Sequence, residues 1–250
     1  MRYFLEVSYK GTKYAGFQVQ KNANTIQAEV EKALEVIARK RIELTGSSRT
    51  DAGVHALQNF FHFDVDTEFD TASIYNVNAL LPLDIVIKSI TPVADNAHCR
   101  FDATSRGYRY FISTAKEPFS IDTAWYYPYT VDVDVLNKAA QLLMHYTDFT
   151  SFSKRNTQVH TKECTITKSE WQQGEKRIVY NVEANRFLRG MVRGLVGTML
   201  LVGRGKISLA EFEDIILLKD CTKANFATPA HGLFLIAVTY PANVWKREIK

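Results

Sequence analysis

The sequence predicts an α+β fold with a largely antiparallel sheet. Both halves mix hairpin-like strand pairs with helices, and neither shows the regular strand-helix alternation of a doubly wound parallel sheet. At 250 residues, with 46% hydrophobic side chains, 15 Phe, 12 Tyr and 3 Trp, the chain can bury roughly 70 to 75% of its unfolded surface. That is enough for one large domain or two smaller ones. Only 12 Gly and 6 Pro occur, so neither a disordered nor a fibrous chain fits.

The elements follow in order. Tyr3, Leu5, Val7 and Tyr9 alternate with Phe4, Glu6 and Ser8, the period of a strand with one apolar face. After a polar loop, Asn24 with Gln27 reads as the capped start of a helix whose apolar stripe is Ile26, Val30, Ala33, Leu34 and Ile37. Arg41 to Thr45 and Asn59 to Val65 read as strands on either side of a loop. Thr71 to Leu81 reads as a helix stopped by Pro82, and Asp84 to Ile90 as a strand. A strand at Gly107 to Ala115 and a helix at Val135 to Tyr146 open the second half. A hairpin over Cys164 to Trp171 and Arg177 to Arg186 follows, with its turn at Gly174. Two helices come next, Phe187 to Val202 and Leu209 to Lys219, the second capped by Ser208 with Glu211 three residues on. Gly232 to Tyr240 closes as a strand. The least structured join, Pro92 to Ala103, divides the chain into an N-terminal subdomain, 1–103, and a C-terminal one, 104–250. No repeat relates the two at the level of sequence.

Composition narrows the function. The N-terminal apolar stretch is short and holds Glu6, unlike a secretory signal. The most apolar run, Leu195 to Val202, lies between Arg193 and Arg204 and is about half a membrane span, so it reads as a buried helix. Cys99, Cys164 and Cys221 are odd in number and far apart, which implies neither a disulfide framework nor a structural zinc and fits a reducing cytoplasm. His55, His62, His98, His145, His160 and His231 form no HExxH pair, and no Walker or dinucleotide fingerprint occurs; no metal and no cofactor are expected. The net charge of +4 is only mildly basic, so distribution matters more than the sum.

That distribution is uneven. From Ala184 to Ala210 there is no Asp or Glu, while Arg186, Arg189, Arg193, Arg204 and Lys206 all fall there. On a helix, Arg186, Arg189 and Arg193 share a face beside the apolar stripe Phe187, Met191, Leu195 and Met199. A positive face without acids suits phosphate contacts, whereas a merely solvated face predicts interspersed acids. Gly190, Gly194 and Gly197 point to close packing against another backbone. The second chemical feature is the loop GSSRTDAGVH, Gly46 to His55, in which small residues surround Arg49 and Asp51. Small residues allow a ligand backbone to approach closely; the bland reading is an Asp-Ala-Gly turn with a surface Arg.

RTDAGVHA, at Arg49 to Ala56, resembles the signature of the tRNA pseudouridine synthase A family. The resemblance runs along the whole chain. It takes in Tyr9, Gly11, Thr12, Tyr14 and Gly16-Phe17-Gln18, then Asn78 to Pro82, Arg100-Phe101 and Arg106 to Tyr110. Asp148 to Phe152, the Phe187 to Gly197 helix, and Ala227, Pro229 and Gly232-Leu233 complete it. One departure is Ser48, where the family commonly has Gly before the Arg; it restricts the loop backbone slightly.

The resemblance implies two related subdomains sharing the sheet, with a catalytic cleft between them. It implies isomerisation of uridine to pseudouridine in the anticodon stem-loop of tRNA, positions 38 to 40, by a cytoplasmic homodimer with no cofactor, no membrane and no obligatory protein partner. Asp51 matches the catalytic Asp. Breaking the C1′ to N1 bond puts oxocarbenium-like charge on the ribose, and a carboxylate below that carbon can stabilise it or form an adduct. Removal of the 2′ proton to give a glycal is the other route, and both stay open. An ionised carboxylate in a dry site needs a fixed cation, for which Arg49 and Arg193 are the candidates. The resemblance gives the salt bridge to Arg193 and an RNA contact, displacing the base, to Arg49. It also picks Tyr108 as the active-site ring, stacking on uracil and moving the proton at C5, with Tyr110 structural. His55 reads as a loop-structuring residue.

Two rivals belong to other classes. A binder of the same fold without catalysis has no reason to keep Arg49, Asp51, Tyr108 and Arg193 together. A glycoside hydrolase usually needs a second acid, and the motif supplies only Asp51.

Overall fold

The computed structural model describes residues 1–155, 159 and 161–246; His160 lies outside the described residues. The chain forms two compact units, Met1–Ser105 with the segment from Leu235 onward, and Arg106–Phe234. The closing segment therefore belongs with the first unit, whereas the division at Ala103 placed it in the second. Sequence order cannot reveal this, because the contacts that decide it join residues more than a hundred positions apart.

In the first unit, strand β1 (Arg2–Tyr9) is followed by helix α1 (Ile26–Ala38), strands β2 (Thr45–Gly46) and β3 (His55–Asp64), helix α2 (Ile74–Leu80) and strand β4 (Ile85–Val93). β1 is central, antiparallel to β3 on one side and to β4 on the other. The alternation in β1 predicted one apolar face, yet Phe4 is as buried as Tyr3 and Leu5. Phe4 packs edge-on against Tyr240 and Trp245 of the closing segment, with centroids 5.1 and 5.7 Å away, so both faces of the strand are covered.

α1 buries Ile26, Val30, Ala33 and Leu34 from the predicted stripe. Its cap is Thr25, whose hydroxyl accepts from Ala28 N, and not the Asn24 and Gln27 pair. Gln27 is engaged elsewhere: its Nε2 donates to Leu44 O at 2.7 Å, while Leu44 N donates to Glu31 at 3.0 Å. Helix side chains thus take up both backbone groups of Leu44, within the predicted 41–45 strand. Only Thr45 and Gly46 pair with β3. The predicted 71–81 helix divides into a 3-10 turn, Thr71–Ser73, and α2, which ends before Pro82.

The second unit comprises β5 (Ser105–Ser113) from Arg106 on, β6 (Trp125–Tyr126), α3 (Val133–Leu142), β7 (Ile166–Gln173), β8 (Arg177–Ala184), α4 (Met191–Gly203) and α5 (Leu209–Leu218). β8 runs antiparallel to both β5 and β7, and β6 pairs parallel with β5, so the pairing is mixed. The architecture is α+β, as expected. Asn137 docks α3 on β7 by bonding both the N–H and the carbonyl of Trp171, at 2.8 and 3.0 Å. α4 buries every residue except Arg193 and Leu201, as its apolar run predicted. At the start of α5 the Ser208 and Glu211 capping box is formed. No helix among the described residues is long and apolar enough to cross a membrane.

The last strand, β9 (Leu233–Thr239), lies beside β3, and Val238 N donates to Gln58 Oε1 at 3.0 Å.

Candidate active site

The loop carrying Arg49 and Asp51 is held by groups distant in sequence. Ser47 N donates to Phe60 O at 2.8 Å, Asn59 Nδ2 to Ser48 O at 2.9 Å, and Phe17 N to Thr50 O at 3.1 Å. The Thr50 hydroxyl meets the Tyr9 hydroxyl at 2.8 Å in the interior. Buried Ser48 and Thr50 flank exposed Arg49, so the backbone is anchored on one side and the guanidinium is presented on the other. Asp51 is half-buried and opens a tight turn, closed by Val54 N donating to Asp51 O at 3.1 Å with Gly53 at φ +77°.

Two N-terminal glycines allow this arrangement. A Cβ on Gly11 would stand 2.0 Å from Val54 O, and one on Gly16, at φ +118°, would stand 3.1 Å from Thr50 O. The spacing from Tyr9 to Gly16 is thus the template on which the Asp51 loop rests. His55 is buried, and its Nδ1 accepts from Gly11 N at 3.0 Å, a loop-structuring contact. Ser48 is accommodated without a positive φ, so the loop is not strained by it; its buried hydroxyl makes no hydrogen bond among the described residues. Arg49 also lines a cavity of about 270 Å³ together with Phe17, Gln18, His98, Arg100 and Phe101.

In the second unit, Tyr108 and Tyr110 lie on one face of β5. The Tyr108 ring packs edge-on against Phe187 at 5.1 Å. Tyr110 is fully buried and its hydroxyl donates to Pro229 O at 2.7 Å; burial pushes this phenol far above its ordinary range, opposed by the charge of Arg193. Arg193 sits in the first turn of α4, where its Nε donates to Thr228 O at 2.7 Å and its carbonyl accepts from the Thr228 hydroxyl at 2.9 Å. Gly197 lets this return segment come close, since a Cβ there would lie 2.3 Å from Asn225 O. Gly194 does the same against the Phe226 ring.

Arg186 and Arg189 do not share a helical face with Arg193. The predicted helix from Phe187 begins instead at Met191, because Gly190 adopts the left-handed conformation at φ +74° and breaks the backbone there. Arg186 is half-buried, with Nη1 donating to Thr161 Oγ1 at 3.3 Å, and Arg189 is exposed, its carbonyl accepting from Lys154 N. The structure therefore places Arg49 and Asp51 on one loop of the first unit. Tyr108, Arg193, Arg186 and Arg189 belong to the second. Asn59, Thr228 and the packing of Phe187 on Tyr108 were not singled out from the sequence; an Asn inside an apolar strand was the available signal for the first.

A family model described as tRNA pseudouridine synthase matches residues 6–102 and 139–241, well over half of the chain. The chain belongs to the tRNA pseudouridine synthase family. Its relatives within that family are similar from end to end. A protein named tRNA pseudouridine synthase A from Bacteroides fragilis is 44% identical over 248 residues, covering 98% of each chain. Its namesake from Parabacteroides distasonis is 42% identical over 249 residues, covering 99% of each. One from Staphylococcus aureus is 36% identical over 238 residues, covering 94% of this chain and 90% of its own. The family is one of isomerases, and the matched segments take in the Asp51 loop and Arg193, whereas Tyr108 lies in the stretch between them.

Proposed function

We propose that this protein isomerises uridine to pseudouridine in the anticodon stem-loop of tRNA, at positions 38 to 40, with Asp51 as the residue acting on the ribose. The observation that carries the reading is the Asp51 turn: a half-buried carboxylate on a loop fixed by Tyr9, Asn59, Gly11 and Gly16, in a chain of this family. A carboxylate held in place needs no reorganisation when charge develops beside it.

The C1′ to N1 bond breaks, and Asp51 either stabilises or captures C1′, or takes the 2′ proton. The freed uracil turns, C5 bonds to C1′, the C5 proton departs and N1 ends protonated. No group is lost and no electron is transferred, so the balance needs no co-reactant. Tyr108 stacks on the base and moves the C5 proton; base-aromatic stacking is worth about 1 to 3 kcal/mol. Arg193 supplies the positive partner of the Asp51 carboxylate, and Arg49 contacts the RNA and displaces the target base. Arg186 and Arg189 bind phosphates. Water must be kept out, or the intermediate hydrolyses. A cytoplasmic homodimer is the working form.

The test is incubation of the purified protein with unmodified tRNA transcripts and site-resolved mapping of pseudouridine. Modification confined to the anticodon stem-loop is expected. A protein that binds the transcripts and forms none is an RNA-binding member of the fold, and one that modifies other positions has a different target.

A further inference from the structure

We propose that His62, His98 and Cys99 form a binding site for a divalent cation of the zinc class in the first unit. His62 and His98 stand 36 positions apart in the sequence, with Cys99 next to His98. Folding gathers one ligand atom from each to within 4.8 Å of the others. His62 Nδ1 already lies 3.2 Å from Cys99 Sγ. Tetrahedral zinc, with bonds of about 2.0 to 2.1 Å to nitrogen and about 2.3 Å to sulfur, requires N···S near ~3.6 Å and N···N near ~3.4 Å. The His62 and Cys99 pair is thus within a few tenths of an ångström of that spacing, and the widest pair must close by at most about 1.4 Å.

The two parts of the cluster differ in freedom. His62 is buried on β3 and Cys99 is fully buried, so they form a fixed pair. His98 is half-exposed, its ring against Phe101 at 4.2 Å and His62 at 4.6 Å, and it is the ligand that moves. His98 also lines the 270 Å³ cavity, which provides an entry path and room for a fourth ligand from solvent.

The surroundings tolerate a cation. Arg2, whose charge bears on both imidazoles, is paired with both oxygens of Asp64 at 2.8 and 2.7 Å. The Asp102 carboxylate is close by, accepting from His98 N at 2.7 Å. Two nitrogens and a sulfur, without a carboxylate or carbonyl oxygen, suit zinc rather than magnesium or calcium. Binding exchanges hydrogen bonds for metal bonds. The Cys99 S–H now donates to Thr45 O at 3.1 Å; that S–H bond breaks, the thiolate binds the metal and the proton passes to solvent. Ligation by His62 and His98 through Nδ1 replaces the bonds those atoms accept, from Cys99 N at 3.4 Å and from Arg100 N and Phe101 N at 3.1 and 3.4 Å. Nothing is oxidised or reduced.

The inference is independent of the isomerisation, and cobalt tests it without an activity assay. The full chain carrying Cys221→Ser, which removes the half-exposed thiol, is stripped by a chelator and titrated with Co²⁺. A thiolate-to-cobalt charge-transfer band with the intense visible bands of tetrahedral Co²⁺ should rise to one equivalent and be displaced by Zn²⁺. Adding Cys99→Ser should abolish the charge-transfer band. His98→Ala, at a half-exposed position that should leave folding intact, should weaken binding at least about tenfold. Absence of the band in the Cys221→Ser protein, its persistence in the Cys99→Ser variant, or unchanged affinity in His98→Ala would overturn the assignment.

Discussion

Adding one methyl group at Gly11 should disable the chemistry from a position outside the Asp51 loop. The Cβ of Gly11→Ala would stand 2.0 Å from the carbonyl oxygen of Val54 and 2.8 Å from its carbon. Both partners are backbone, so no rotamer change relieves the clash; an ordinary contact requires the two chains to part by more than about 1 Å. Separation also stretches the 3.0 Å bond from Gly11 N to His55 and pushes the turn that begins at Asp51. Overpacking of this kind costs about 1 to 3 kcal/mol, and a 1 Å misplacement of a reacting group costs roughly 100-fold in rate. Urea unfolding should therefore show a stability loss in that range. Single-turnover pseudouridine formation should fall by about two orders of magnitude, with tRNA affinity within about threefold. Wild-type turnover in a Gly11→Ala protein would refute the claim that this glycine templates the Asp51 loop.

Tyr108→Phe should keep tRNA binding and lose turnover, whereas Tyr110→Phe should lose mainly stability, about 1 to 3 kcal/mol for the stranded carbonyl of Pro229, as read by chemical denaturation beside single-turnover rates. Equal turnover losses would mean the roles on β5 are reversed. Arg189→Ala, at an exposed position, should weaken tRNA binding and reduce its salt slope by about one per lost phosphate contact. Arg186→Ala should do the same, and unchanged slopes in both would place the RNA elsewhere. Chelator-treated protein that remains folded by circular dichroism should turn over at the untreated rate, because no step of the isomerisation uses a metal. Loss restored by one specific metal, with tRNA folding controlled, would contradict that mechanism.

What the sequence revealed was local. The Ser208 and Glu211 cap, the β7 and β8 hairpin and the buried apolar run of α4 depend on neighbours within a few positions. The expectations that failed involve distant competitors. Gln27 suits a capping box, but Leu44 claims its amide; Arg41 to Thr45 has a strand pattern, but α1 takes both backbone groups of Leu44. Phe4 counts as solvent-facing until Tyr240 and Trp245 return over it. The break at Gly190 was legible as a glycine, though its left-handed backbone was not, and that conformation separates Arg186 and Arg189 from the helix of Arg193. At the candidate site, Arg49 and Asp51 were visible as a motif. Their support was not, because Tyr9, Gly11, Gly16 and Asn59 come from two other segments of the chain.

Asp51→Asn tests the central claim most directly, since it removes a charge and leaves the shape of the turn nearly unchanged. Nucleophile, base and electrostatic partner all require the carboxylate, so pseudouridine formation in unmodified tRNA should become undetectable. Affinity for that tRNA should stay within about tenfold of wild type, because phosphate contacts supply most of the binding. The variant must be folded at the assay temperature, and mass spectrometry must exclude deamidation back to Asp. Under those conditions, pseudouridine formed at more than a few per cent of the wild-type rate would contradict the assignment of Asp51.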